Sequence, residues 1–494
     1  MNETNAADSA VPDSPTSVAW AAGDGIGPEI SEATRRILDA AGAGLEFVPV
    51  TVGESCYRAG VTSGIPQEAW DAIREHKVLL KGPITTPQGG GYKSLNVTMR
   101  KALGLFANVR PCRGWRPALP FGPEGMDLVI VRENEEDTYA GIEHRQTPEV
   151  TQCLKLISRP GCERIVRYAF ELARTQGRGT VHCLSKDNIM KITDGLFHRV
   201  FDEIAAEYPD IEAKHLIIDI GTALLAERPQ MFDVIVAPNL YGDILSDVAA
   251  QVSGSVGLGG SANIGDGYAM FEAVHGSAPD IAGKDIANPS GLLLAACEML
   301  RYLGRDEVAK TIQDAWLATL EEGLHTADLY REGHSARRVG TTEFAEAVCE
   351  RLGRSPERIE PPPARPMPHA RPAPPARPRP DKRLHGVDVF LDFDEHGRDP
   401  DALGERLAKL AADSPMDLVV ITNRGVKVWP EGLPETFCTD HWRCRFRAPD
   451  GGEVNHADIL ALLERIAGDG LDFVKTEQLY TFDGERGYSM AQGE

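Results

Sequence analysis

No stretch of this 494-residue chain reaches the roughly 18 consecutive apolar residues of a membrane-spanning helix. The opening MNETNAADSAVPDSPTS lacks both the apolar core of a secretory signal and the arginines of a transit peptide. It reads as a short disordered tail, residues 1–17. Nine cysteines are scattered without a Cys-x-x-Cys pair. That argues against a zinc ribbon or a disulfide framework and fits reduced thiols in a cytoplasmic protein. Positive charge is scarce: 52 Lys and Arg against 74 Asp and Glu leave a formal net charge of −22. Such a surface repels polyanions, so neither nucleic acid nor an anionic membrane is expected as a partner. An anionic substrate would need a local cluster of cations. The Gly-rich segment Gly23-Asp-Gly-Ile26-Gly-Pro-Glu29 does not match GxGxxG, so no Rossmann cofactor turn is supported there. No internal repeat is evident.

The length implies more than one domain, and one boundary is clear. Residues 361–380, PPPARPMPHARPAPPARPRP, carry proline at every second position on average. Proline blocks helix and sheet, so residues 356–384 read as an extended spacer whose 361–380 stretch alone could reach about 60 Å, although its four arginines could also dock it on the acidic body. Before it, apolar runs such as VLLKGP, DLVIVREN and DVIVAP alternate with helical patterns such as SEATRRILDAAG and SGLLLAACEMLRYLG. This is an α/β pattern, a sheet covered by helices. After it, residues 385–494 read as strand, helix, hairpin around Asn423–Gly425, strand, helix and strand. That order predicts a two-layer α+β sandwich of ferredoxin-like type without a concentration of catalytic residues.

Four segments carry chemistry. Asp243 and Asp247 follow the apolar run DVIVAP and stand four residues apart. If Gly242 opens a helix, both carboxylates share one face and suit Mg²⁺ or Mn²⁺; an acidic helix N-terminus is the plainer alternative. Lys186, just after VHCL, becomes a general base if neighbours depress its pKa. Arg132 and Tyr139 flank the acidic run Glu133–Asp137, and a tyrosine beside a cation can pass a proton. Arg100, Arg110 and Arg132 together offer planar guanidinium forks for a tricarboxylate.

Taken together, GDGIGPE, KGPITTP, SLNVTMRK, ANVRP, VRENEEDTYAGIEH, KDNIMK, NLYGDILSD, SANIGD and HGSAPDIAGKDIANP resemble, in order, the motifs of the isocitrate and 3-isopropylmalate dehydrogenase family. The linker and final domain are similar to those of the long, C-terminally extended bacterial members. The resemblance implies an isopropylmalate dehydrogenase-like catalytic body. Its large cofactor domain would be residues 18–105 and 254–355, its small domain 106–253, with a dimer clasp near 140–160. The final domain would serve assembly or regulation. It further implies catalysis by Tyr139 and Lys186 and substrate binding by Thr86, Ser94, Asn96, Arg100, Arg110 and Arg132. Cofactor contacts would come from Ile26, Asn188, His275, Gly276, Asp280, Ile281 and Asn288, and metal ligation from Asp219, Asp243 and Asp247. Lys186 and Asp219 would reach across to a second subunit, making a homodimer the smallest active form.

Within that family, Ser94-x-Asn96 ahead of Arg100 is the isocitrate pattern, since a hydroxyl and an amide suit an extra carboxylate. The implied reaction is metal-dependent oxidative decarboxylation of isocitrate to 2-oxoglutarate and CO₂, a tricarboxylic acid cycle step. Alternatives are 3-isopropylmalate dehydrogenase and a non-catalytic regulatory subunit. NAD is expected over NADP, because Asp280 and Ile281 stand where NADP-using members have Lys-Tyr and a carboxylate repels a 2′-phosphate. Ala287 and Ala327 follow the same trend, and Arg331 departs from it.

Overall fold

The computed structural model describes residues 15–86, 94–363, 365–370, 377–395 and 397–491. Two compact units emerge: Met1–Tyr139 with Leu156–Pro374, and Ala140–Lys155 with Pro375–Glu494. A tail is expected over residues 1–17. Residues 1–14 of it lie outside the described residues, and Thr16 and Ser17 already belong to the first strand.

The strands of the first unit are β1 (Thr16–Ala21), β2 (Leu45–Pro49), β3 (Val78–Lys81), β4 (Ala107–Arg113) and β5 (Asp127–Glu133). After the hairpin strands β6 (Glu143–Arg145) and β7 (Thr151–Cys153) of the other unit come β8 (Thr180–Ser185), β9 (Glu212–Ile217), β10 (Val234–Ala237), β11 (Gly260–Ile264) and β12 (Ala269–Ala273). The ten form one sheet in the order β2-β1-β3-β12-β11-β4-β5-β10-β8-β9. Its flanks are parallel, while β12/β11, β11/β4 and β4/β5 pair antiparallel. β3, β10 and β11 are buried at every position, as strands covered on both faces must be. The run of β10 is wholly apolar for that reason, while β3 and β11 also bury Lys81, Ser261 and Asn263. β5, β10 and β8 run parallel, and their C-terminal ends deliver Arg132, Asn239 and Lys186. This is where α/β sheets place ligands.

The proline-rich segment departs from the plain-spacer expectation. Met367 is buried, Arg365 pairs with Asp127 at 3.2 Å, and Tyr168 donates to the carbonyl of Pro368 at 3.1 Å. Residues 365–369 are therefore docked on the catalytic body. Proline's missing N–H leaves only carbonyls to satisfy, so an extended strip can lie on a surface at little hydrogen-bonding cost.

The second unit holds β15 (Lys382–Asp392), β16 (Asp417–Asn423), β17 (Val426–Trp429), β18 (His441–Arg447), β19 (Asp472–Phe482) and β20 (Glu485–Arg486), the short β13 (Leu324–His325) and β14 (Arg337–Arg338) having paired earlier in the chain. The sheet order is β17-β16-β18-β15-β19-β20. Its four central strands give the ferredoxin-like order, and the helices Pro400–Ala411 and His456–Gly468 pack on it and on each other. The β16–β17 turn falls at Arg424–Gly425, both at positive φ, as an Asn-x-Gly hairpin requires. The segment Ala140–Lys155, which includes the expected clasp strands, packs within this unit. Arg398 grips the Glu149 carboxylate with two bonds of 2.9 and 2.7 Å, and Lys475 donates to Gln152 at 3.3 Å.

Candidate active site

The helix Asn239–Ser253 starts straight after β10 and Pro238, three residues earlier than a start at Gly242. Asp137, fully buried, accepts from the backbone N–H of Leu240 at 3.0 Å and so complements the helix dipole. Asp243 and Asp247 lie one turn apart on this helix, with side chains 32% and 64% exposed. Gly242 sits between them and β5: a Cβ there would lie 2.6 Å from Cγ of Arg132. The missing side chain lets Arg132 cross the helix.

Arg132 is 1% exposed. Its guanidinium donates to Asp243, to the side chain of Asn239 at 2.7 Å and to the Asn239 carbonyl at 3.0 Å. It also lies 4.8 Å from the Tyr139 ring. Arg110 donates to Asn108 at 2.6 Å, to Ser246 and to Asp243 at 3.3 Å, and pairs with Asp247 at 3.7 Å. The Tyr139 hydroxyl donates to the other Asp243 oxygen. Arg100 bonds Glu272 at 2.8 Å, and the buried Lys81 holds the second oxygen of Glu272 at 2.7 Å. Two polar atoms on the Leu95–Ala102 helix, Oδ1 of Asn96 and Nε of Arg100, are buried without a partner. Orphans of this kind are expected where a polar ligand completes the bonding.

Electrostatics follow from this packing. Burial, with Arg110 alongside, pushes Arg132 down to about 10; it remains a cation at neutral pH. Burial acts to raise Asp243, but Arg132 and Arg110 outweigh it and hold the carboxyl below its usual range. Burial lifts Asp247, with Arg110 opposing and Asp243 assisting. Burial and the hydrogen bond to Asp243 raise Tyr139, so it is a proton carrier in its neutral form. The ionised carboxylate pair, hard oxygen on successive helical turns, fits a Mg²⁺- or Mn²⁺-type ion.

Lys186 and Asp219 form a second group. They pair at 3.1 Å, and that bond holds Asp219 below its usual range. The Lys186 backbone is fixed by Asp194 at 2.7 Å, and Asn188 is exposed nearby in sequence. Among the described residues, no hydrogen bond or ion pair joins Lys186 or Asp219 to Tyr139, Asp243 or Asp247.

The cofactor candidates form a third group. Gly25, at positive φ, lets the backbone press against the loop: a Cβ would lie 2.0 Å from the Ser277 carbonyl. The Ile26 N–H donates to that carbonyl at 2.8 Å, and Thr85 donates to the Ser277 hydroxyl at 2.9 Å. Nε2 of His275 is buried without a partner, and no atom crowds the Cβ position of Gly276. These features fit a bound dinucleotide. Asp280 and Ile281 lie in a 3₁₀ turn with Asp280 exposed. Asn288 donates to Asp328 at 3.0 Å, and the exposed Arg331 donates to the Asp328 carbonyl at 3.0 Å. Thr86 is exposed and bonds Ser94 at 3.4 Å; Ser94 stands at the N-cap of the Leu95–Ala102 helix without a side-chain capping bond.

Lys81, Asn108, Asn239, Ser246 and Glu272, which orient the arginines, are not among the residues expected from the motifs. Lys81 lay inside KGPITTP, and its burial could have been inferred from its place in an apolar strand. Glu272 carried no local signal.

The isocitrate/isopropylmalate dehydrogenase family profile matches residues 17–348, and that of the bacterial isocitrate dehydrogenase C-terminal domain matches residues 382–494. The chain belongs to the isocitrate/isopropylmalate dehydrogenase family. An isocitrate dehydrogenase [NADP] from Rickettsia bellii is 52% identical over 482 residues, covering 97% of this chain and 99% of its own. One of the same name from Thermus thermophilus is 47% identical over 476 residues, covering 96% and 95%. The crystal structure of the TT0538 protein, also from Thermus thermophilus, superposes with a TM-score of 0.91 at 46% identity, covering 98% of this chain and 97% of that one.

These names overturn the expectation of NAD. That reading weighed Asp280, Ile281, Ala287 and Ala327 and discounted Arg331. A 2′-phosphate responds to the summed charge around it, not to one loop position. Asp280, being exposed, is screened by water.

Proposed function

We propose that this chain oxidises and decarboxylates isocitrate to 2-oxoglutarate and CO₂, with NADP as hydride acceptor and Mg²⁺ or Mn²⁺ as the metal. The observation that carries the reading is the cluster of Arg110, Arg132 and Tyr139 around Asp243, with Arg100 near enough to act on the Asp243 charge and the unpartnered Oδ1 of Asn96 on the same helix as Arg100. A protein of net charge −22 concentrates buried guanidinium groups where a polycarboxylate is to be held.

Arg100, Arg110 and Arg132 bind the substrate carboxylates, with Ser94 and Asn96 taking the one that isopropylmalate lacks. Asp243 and Asp247, with Asp219 of the partner subunit, would hold the metal, and bound metal supplies Lewis acidity at the substrate's oxygens. Lys186 of the partner subunit takes the proton of the C2 hydroxyl. Tyr139 returns a proton to C3 once CO₂ has left; Arg132 against its ring favours the transient phenolate. Arg331 supplies the cation for the 2′-phosphate, reached through the Asn288–Asp328 contact that ties it to the cofactor loop.

Steady-state kinetics with isocitrate or 3-isopropylmalate, each with NADP or NAD, test this directly. The highest kcat/KM is expected for isocitrate with NADP. Arg331→Ala should raise the KM for NADP about tenfold or more and leave that for NAD nearly unchanged, as a phosphate-specific ion pair requires. A higher kcat/KM on isopropylmalate, or with NAD, defeats the corresponding half of the proposal.

A further inference from the structure

One constellation takes no part in the reaction above. Asp187 follows Lys186 at the end of β8, His198 lies on the helix Thr193–Ala205, and His215 lies on β9. Nδ1 of His198 is 2.7 Å from one Asp187 oxygen. Nε2 of His215 is 3.7 Å from the other and 2.8 Å from the Ser185 hydroxyl. The two imidazoles are stacked, 3.6 Å between centroids and 15° between planes. One donor atom from each of the three side chains lies within 4.8 Å of the other two. A fourth group, Asp202, stands 3.6 Å from Nε2 of His198. All are partly exposed, so an ion can enter from solvent.

The donor set decides the kind of ion. Two imidazole nitrogens and a carboxylate oxygen make a borderline site, suited to Zn²⁺ and similar transition metals and poorly suited to Mg²⁺. Donors around a tetrahedral ion sit roughly 3.3 Å apart, and the 2.7 and 3.7 Å separations from the two Asp187 oxygens bracket that spacing. Because an imidazole lone pair lies in its ring plane, the stacked rings must swing out of parallel for both to meet one ion. Stacked rings cannot both carry charge cheaply. Burial, and His198 beside it, push His215 below the usual histidine range, which leaves its lone pair free for a ligand bond.

We infer that Asp187, His198 and His215 form a second divalent-metal site, for Zn²⁺ or a similar borderline ion, which clamps the turn carrying Lys186 and Asn188. An ion there joins the end of β8 to the following helix and to β9. It would fix the backbone from which Lys186 projects.

The test is Zn²⁺ binding to the purified full-length protein, by calorimetry and by competition with a chromophoric chelator, with excess Mg²⁺ present to occupy the carboxylate pair. The wild type should bind about one more Zn²⁺ per chain than His198→Gln or His215→Gln, the remaining affinity at that site falling at least tenfold. X-ray absorption at the zinc edge should report two imidazole ligands. Asp187→Asn keeps both rings and serves if the histidine variants do not fold; it too should weaken the site. Equal zinc stoichiometry and affinity in wild type and variants overturns the inference, as does a zinc edge showing thiolate ligands alone.

Discussion

Tyr139 touches Asp243 through its hydroxyl and Arg132 through its ring, and these two contacts set its proposed role. The hydrogen bond to a carboxylate keeps the phenol protonated, and the guanidinium steadies the phenolate left after proton transfer. Tyr139→Phe removes the transferable proton and little else. It should lower kcat by about 10² to 10⁴ while moving the isocitrate KM only a few-fold, measured by steady-state assay. An unchanged kcat would remove Tyr139 from the proton path. Arg132, Lys186 and Asp243 were legible as candidates because each lies at or just after the C-terminal end of an apolar strand run. Arg110 within β4 and Arg100 on a helix were legible only by residue type. Their supports were not. Glu272 neutralises Lys81 and Arg100 from a separate strand, a long-range pairing that has no trace in local spacing. The cofactor reading failed for a related reason: charges from separate segments sum at one phosphate.

Asp127 shows what holds the elements together. It opens β5 and meets Arg113 at 3.0 Å, Arg178 at 2.9 Å and Arg365 of the proline-rich segment at 3.2 Å. Burial acts to raise its pKa, but these arginines outweigh it and bring it down to about 2, from a usual 3.8. The folded value lies below the unfolded one. The resulting stability is therefore full above pH 3.8 and lost as pH falls through about 2. Asp127→Asn should cost about 1–2 kcal/mol at pH 7 after allowance for partial exposure. The gap to wild type should narrow below pH 4, measured by denaturant unfolding across pH. A gap that stays constant with pH would mean that the charge is not what anchors the strip. Strand and helix order was readable because apolar periodicity is local. Docking of the strip was readable only as the lesser alternative: its four arginines allow it to dock on the acidic body, but proline composition favours a plain spacer and does not say where an extended chain lies.

The whole molecule couples two units through its chain, and the segment Ala140–Lys155 belongs with the C-terminal sheet. Glu149 and Gln152 are held by Arg398 and Lys475, so a chain ending at Glu360 leaves that hairpin without its support. If the hairpin serves as a dimer clasp, this truncation should lower the solution mass from dimer toward monomer, read by light scattering; an unchanged mass would assign assembly elsewhere. Among the described residues, two groups are joined by no hydrogen bond or ion pair. Tyr139, Arg110, Arg132, Asp243 and Asp247 make one set, and Lys186 with Asp219 makes the other. The decisive measurement mixes two inactive variants, Tyr139→Phe and Lys186→Met, after subunit exchange. A shared site predicts that hybrid dimers carry one intact centre, recovering about one quarter of wild-type isocitrate oxidation. A mixture no more active than its separate components would contradict the account.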